Sequence, residues 1–413
     1  MESKYRNSIS GPFRTILGAS RNRLLWSSSI NVIATNIFAI YYSLSLGPDR
    51  RSYLATVFAV SLILHTFMMY GPGLSFRRSQ VNSEESVQSF TLLLLGSILS
   101  IPLFFMILFA YSIYKQPLPS SLYIAAALYY LGSICMFVTT ELLFHHMRYQ
   151  NLYFSDTISA LALPVIFSIL YFYSHLSLIV CVLLSFLISF MIVVSQNLRF
   201  NHKWALELGV AKHFLLNTSK ALKSIQNRLF FRITIFNSLL ERGDKVILAF
   251  LADSSLFAKF TFNIAPLLVI RFLPQLFTKL AIAKRSLNEQ TRVFFTFFFS
   301  LYLAFSATLC LLTGWIMQSV QDGTWFIGFA PLIAFAIYES LRVTYSFRLA
   351  GDISGSRTRA HDQISKFGLI LFPLIYFMSL IFFPNSITSF YLISSVCLLF
   401  VFVWKRSLEK TGI

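Results

Sequence analysis

Long apolar runs alternate with short polar joints along the whole chain. Runs near the roughly 20 residues that cross a bilayer fall at about 24–46, 53–71, 89–114, 121–143, 156–173, 177–196, 229–251, 256–279, 293–316, 325–347, 367–384 and 387–404. The pattern predicts twelve transmembrane helices, with tight hairpins at 156–196 and 367–404, where the joints are only a few residues long. The run RLFFRITIFNSLLERGDKVILAFL at 228–251 is unlike the others, because it carries Arg232, Glu241, Arg242, Asp244 and Lys245 within its length. A charge at membrane depth costs about 2.5–3.5 kcal/mol on insertion scales, so such residues are expected to face a cavity or a partner.

Lysine and arginine sort between alternate joints. The N-terminus, the even-numbered joints and the C-terminus hold 24 of the 34 basic residues, whereas the opposite face holds Arg50, Arg51 and Lys115. Positive charge marks the cytoplasmic side, so both termini are expected there. The longest joint, 197–228, is basic, with Leu206, Leu208, Val210, Leu215 and Leu216 at helix-compatible positions. It is expected to lie along the cytoplasmic surface as an amphipathic connection. It divides an N-terminal lobe (1–196, spans 1–6) from a C-terminal lobe (229–413, spans 7–12). Matching joints after the first and seventh spans, SLSLGPDRRSYLATV and LAFLADSSLFAKFTF, suit two parallel repeats. The fold class expected is an all-α polytopic membrane protein of about twelve helices in two six-helix lobes.

Composition agrees with this class. The chain of 413 residues is 56% hydrophobic and 12% charged, with 45 Phe, too few charges to clothe a soluble domain of this size. The net charge of +18 is accounted for by cytoplasmic joints, and no nucleic-acid partner is expected. Cys135, Cys181, Cys310 and Cys397 lie in apolar runs without paired spacing, which points to no disulfide framework or metal motif. The first apolar run is too long for a signal-peptide core and is expected to stay as a span.

On a regular helix, Arg228, Arg232 and Arg242 fall within an arc of about 80°, and Lys245 widens it to about 140°. This cationic stripe is either a set of salt bridges between helices or the wall of a cavity for an anionic substrate; the excess of positive charge favours the wall. Glu241 and Lys245 are spaced to pair, and Asp244, off the stripe, is placed to meet a neighbouring helix or to serve ion coupling. Arg271, mid-span between Pro266 and Pro274, joins Arg232, Arg242 and Lys245 as a substrate-binding candidate. Ser28, Asn31, Thr35 and Tyr42 form a polar stripe in the first span, which either joins helices or lines a cavity. Glu339, three residues from Arg342, and Glu141, beside His145 and His146, are further coupling candidates, each with a plain structural alternative. No nucleophile–base pair, phosphate-cradling glycine loop or redox motif stands out. No cofactor, nucleotide-binding unit or enzymatic activity is expected.

Leu46-Gly47-Pro48-Asp49, Tyr53 and Gly71-Pro72-Gly73, with Arg242-x-Asp244 before an apolar run and the later Leu273-Pro274, resemble the polysaccharide-transporter branch of the multidrug/oligosaccharidyl-lipid/polysaccharide (MOP) flippase superfamily. Where that branch usually has Leu-Gly-x-Tyr, this chain has Leu256-Phe257-Ala258-Lys259. The resemblance implies a Wzx-like flippase of the bacterial inner membrane that moves undecaprenyl-pyrophosphate-linked oligosaccharide for O-antigen, capsule or exopolysaccharide synthesis. It implies alternating access of two lobes, proton or sodium coupling, and polymerase or assembly proteins as partners beside membrane lipids. A cationic cavity suits a pyrophosphate on independent grounds. The alternatives are another twelve-span transporter of drugs or solutes, a membrane-embedded polymerase or glycosyltransferase, which short outer joints disfavour, and a structural partner in a biosynthetic complex.

Overall fold

A computed structural model describes residues 19–79, 83–115, 117–146, 148–197, 220, 225–265, 291–319, 323–354, 359–383 and 386–410. Among these residues every regular element is helical. The helices are α1 (Ala19–His65), α2 (Gly71–Arg78), α3 (Glu84–Tyr114), α4 (Ser120–His145), α5 (Tyr149–Tyr173) and α6 (Leu178–Gln196). They continue with α7 (Ile225–Ser238), α8 (Asp244–Leu251), α9 over 254–265, α10 (Thr291–Ser319), α11 (Phe329–Ser354), α12 (Arg359–Phe382) and α13 (Ile387–Lys410). A helix satisfies its own backbone N–H and C=O groups, for which the bilayer core offers no other partners. Six of the described helices are long and apolar enough to span: Arg50–Met69, Glu84–Tyr114, Ser120–His145, Leu178–Gln196, Ala360–Phe382 and Ile387–Leu408.

The first two expected spans are one helical run broken at Gly47, whose φ of 75° lies in the left-handed region that glycine tolerates. Pro48 follows and turns the chain into the second arm. Two π-turns interrupt the helices. Thr66–Tyr70 joins α1 to α2, and Leu239–Gly243 joins α7 to α8. The expected start of the third span moves back to Glu84, where the Ser83 side chain caps the Ser86 amide and Glu84 and Glu85 occupy the first turn, favourable to the positive helix end.

Two large hydrophobic cores form. One gathers Phe38, Leu54, Phe104, Tyr130 and Leu183 with their neighbours from α1 to α6. The other gathers Phe236, Leu248, Phe335, Tyr376 and Tyr391 with theirs from α7 to α13. Serine pairs fasten helices within the first group: Ser75 with Ser89 at 2.9 Å and Ser159 with Ser189 at 2.8 Å, the polar contact that substitutes for hydrophobic drive in lipid. Between the groups, α7 packs on α2 and α8 packs on α1. At the end bearing the short joints, Ile40 and Leu44 pack on Phe262, Met317 and Trp325. There the Lys115 ammonium also donates to the Ala252 carbonyl at 2.8 Å, and Tyr111 meets Phe250 edge-on, centroids 5.6 Å apart.

Candidate functional site

The charged residues of the seventh span are distributed by the π-turn at Leu239–Gly243. A turn closed by i→i+5 bonds is wider than the α-turns around it and re-aims every residue that follows. Arg232 lies before it and meets Asp362 of α12, Nε to Oδ1 at 2.7 Å; Lys366 shares that carboxylate at 3.1 Å. Inside the turn, Glu241 faces Arg342 of α11 at 3.8 Å. Arg242 crosses to the other helix group, donating from Nη1 to the Leu62 carbonyl of α1 at 3.0 Å. Directly after it, Asp244 is fully buried and is met by Lys245 at 3.0 Å and by the Tyr391 hydroxyl of α13 at 2.8 Å.

The expected stripe therefore divides among several neighbours. Lys245 takes the adjacent Asp244 as a carboxylate partner, and donates to the backbone carbonyl of Glu241, its i,i+4 neighbour, at 3.3 Å. Asp244 heads a phenolic network. Tyr338 donates to the Leu240 carbonyl at 2.6 Å and shares a 2.7 Å contact with Tyr376, and its ring lies 5.4 Å from that of Tyr391. This network satisfies buried polar groups that would otherwise be costly.

The two other coupling candidates sit in buried ion pairs. Glu339 receives both Nε and Nη2 of Arg342, at 3.0 and 2.5 Å. Glu141 of α4 receives Nε and Nη2 of Arg77 in α2, with both side chains at most 5% exposed. The Gly73 Cα stands against this pair: a Cβ there would lie 3.3 Å from the Glu141 carboxyl. Thr35 is half-buried in the first arm of α1. The side chain of Asn31, and Arg271 with its flanking prolines, lie outside the described residues.

Two further groups escape a reading of the sequence. Arg51, counted with the loop cations, is 5% exposed and donates to the Tyr42 hydroxyl at 3.0 Å, its guanidinium 5.0 Å from that ring. His65, one turn from the Arg242 contact at Leu62, is buried and shares a 3.0 Å hydrogen bond with Ser133 of α4. A polar residue within an apolar run was the available signal for His65; for Arg51 there was none, because it sits at a joint.

No protein-family model matches the sequence, and no curated protein matches it significantly. Solved structures do. A mutant form of the Vibrio cholerae MATE transporter VcmN superposes with a TM-score of 0.59 at 13% identity, over 95% of this chain and 98% of that one. A multidrug resistance MATE family transporter of the MOP superfamily, in an inward-facing conformation, gives 0.59 at 12% identity, over 98% and 99%. The lipid II flippase MurJ, in an inward closed conformation, gives 0.61 at 11% identity, over 95% and 87%. The chain thus shares the twelve-span, all-helical fold of these transporters along nearly its whole length, and is a multi-pass membrane protein.

Proposed function

We propose that this chain is a flippase for oligosaccharide linked to undecaprenyl pyrophosphate, serving O-antigen, capsule or exopolysaccharide synthesis in a bacterial inner membrane. The observation that carries the proposal is Arg242, a guanidinium aimed from the seventh span into the other helix group at the level of Leu62. An arginine at a boundary between two helix groups is suited to a diphosphate, whose oxygens it can take two at a time. The 46–78 and 242–244 motifs and the fold shared with a lipid II flippase support the same substrate chemistry. In this reading the lobes are 1–196 and 229–413, joined by 197–228, with both termini cytoplasmic, and access alternates between them.

Arg242 and Arg271 are the cations proposed to meet the diphosphate, with Asn31 and Thr35 as polar lining. Arg232 and Lys245 already hold Asp362 and Asp244, so their part is to set the seventh span in place and to contribute field rather than direct ligation. Coupling to protons or sodium is assigned to Asp244, whose carboxylate links two helices, ahead of Glu339 and Glu141, which are held bidentately by arginine.

Arg242→Ala and Arg271→Ala are each expected to abolish surface polysaccharide while membrane levels of the protein stay normal. Wild-type surface glycan in both would sink the assignment. A second reading, export of drugs or solutes, is favoured by the MATE transporters among the fold neighbours. It predicts increased drug susceptibility on deletion of the gene, with surface glycan intact.

A further inference from the structure

Among the described residues, Arg51 has a property that the other buried arginines lack. Arg77 and Arg342 each face a carboxylate. Arg51 is equally buried, yet among the described residues its one hydrogen bond goes to a neutral phenol, Tyr42, its Nε has no partner, and no carboxylate lies within ion-pair distance. The Tyr42 ring gives a cation–π contact at 5.0 Å, which offsets only part of the loss of hydration. An ion taken from water without a counter-ion costs several kcal/mol in real proteins, and that cost is understandable where the missing partner is a ligand.

The surroundings extend the argument. Tyr42 belongs to an aromatic group with Phe38, Phe58, Tyr129 and Phe186. Arg242 meets the arm of α1 that carries Arg51 at the Leu62 carbonyl, about 16 Å further along at 1.5 Å per residue. Two guanidinium groups from different helix groups therefore stand along one arm of α1. Arg51 stands toward the short-joint end, where Ile40 and Leu44 close on Phe262, Met317 and Trp325. Parting of those contacts is a direct route by which a ligand could reach it.

We propose that Arg51, with the Tyr42 hydroxyl, forms a second anion-binding subsite for a phosphate or diphosphate group, filled when the short-joint end opens. The inference rests on the flippase reading for the identity of the anion, but not for the existence of the site. It makes Arg51 the receiving end of a path that starts at Arg242, so that the headgroup exchanges one arginine for the next as the lobes move.

The test uses purified full-length protein in detergent, with farnesyl diphosphate, inorganic pyrophosphate and dioleoyl phosphatidylglycerol as probes, and thermal unfolding and titration as readouts. Arg51→Gln is expected to unfold at the same temperature as the parent or higher, because an uncompensated charge has been removed. Its affinity for farnesyl diphosphate is expected to fall about tenfold or more. Tyr42→Phe, which keeps the ring, should show a smaller loss in the same direction. A structural arginine would behave oppositely, lowering the unfolding temperature with affinity unchanged, and that result overturns the subsite. Unchanged diphosphate affinity in Arg51→Gln beside a loss in Arg242→Gln also overturns it while leaving the flippase reading intact. Arg51-dependent binding of pyrophosphate or phosphatidylglycerol, with none of farnesyl diphosphate, keeps the subsite and removes the diphosphate-lipid substrate. No response of the parent protein to any of the three probes rejects the subsite.

Discussion

Glu141 and Arg77 show what pairing does to a charge in this bundle. Each alone would be a heavy burden at this depth; together, with two hydrogen bonds from one guanidinium, they hold α4 against α2. Removing one partner of a buried pair leaves the other uncompensated and costs about 3–5 kcal/mol, whereas replacing both by apolar groups is often neutral. Glu141→Gln is therefore expected to lower the midpoint of chemical unfolding strongly, and Arg77→Met with Glu141→Leu to recover most of the loss. Equal destabilisation by the single and double variants would show that the pair does not act as a unit. The sequence marked Glu141 as an interfacial carboxylate and coupling candidate, but showed neither its burial nor its partner. Arg77 lies 64 positions away and reads as a loop cation, and nothing in a linear pattern encodes so distant a contact. Glu339 and Arg342, three apart on one helix face, could be read directly. Arg232 with Asp362, 130 positions apart, could not.

Apolar run length located most helices well. The expected spans at 89–114, 121–143, 177–196 and 387–404 lie within or nearly within α3, α4, α6 and α13. What hydropathy cannot express is a change of helical register, so both π-turns went unforeseen, and with them the re-aiming of Glu241, Arg242 and Asp244. The first π-turn, Thr66–Tyr70, also shapes its neighbour. A Cβ on Gly96 of α3 would lie 2.1 Å from the Met68 carbonyl oxygen, which is backbone and has little freedom to yield. Glycine is required there by close approach rather than by its torsion angles. Gly96→Ala is expected to push α3 off the π-turn and destabilise the protein by about 1–3 kcal/mol, the usual range for overpacking, read as a lowered unfolding temperature. An unfolding temperature equal to the parent's would mean that α3 can shift freely, and that the packing at Met68 is not a constraint.

The two hydrophobic cores meet differently along their boundary. Near Gly71 the approach is backbone to backbone: a Cβ there would stand 2.8 Å from the Phe231 Cα of α7. At the short-joint end each contact described involves a side chain, with Ile40 and Leu44 on the Phe262–Met317–Trp325 cluster and the Lys115 side chain on the Ala252 carbonyl. Side-chain contacts of this kind can separate without rebuilding a helix, so this is the end at which a two-lobe transporter of this fold would part while each core moves as a body. With Cys135, Cys181, Cys310 and Cys397 replaced, a Leu44→Cys/Met317→Cys protein joined by a short cleavable linker is expected to lose translocation of lipid-linked oligosaccharide in proteoliposomes. Cleaving the linker should restore it. Binding of diphosphate at Arg242 should survive the link, because that contact lies one helix arm away at Leu62, whereas binding that depends on Arg51 should be lost with the opening. Full translocation by quantitatively linked protein would place the moving boundary elsewhere and leave the short-joint end as a fixed hinge.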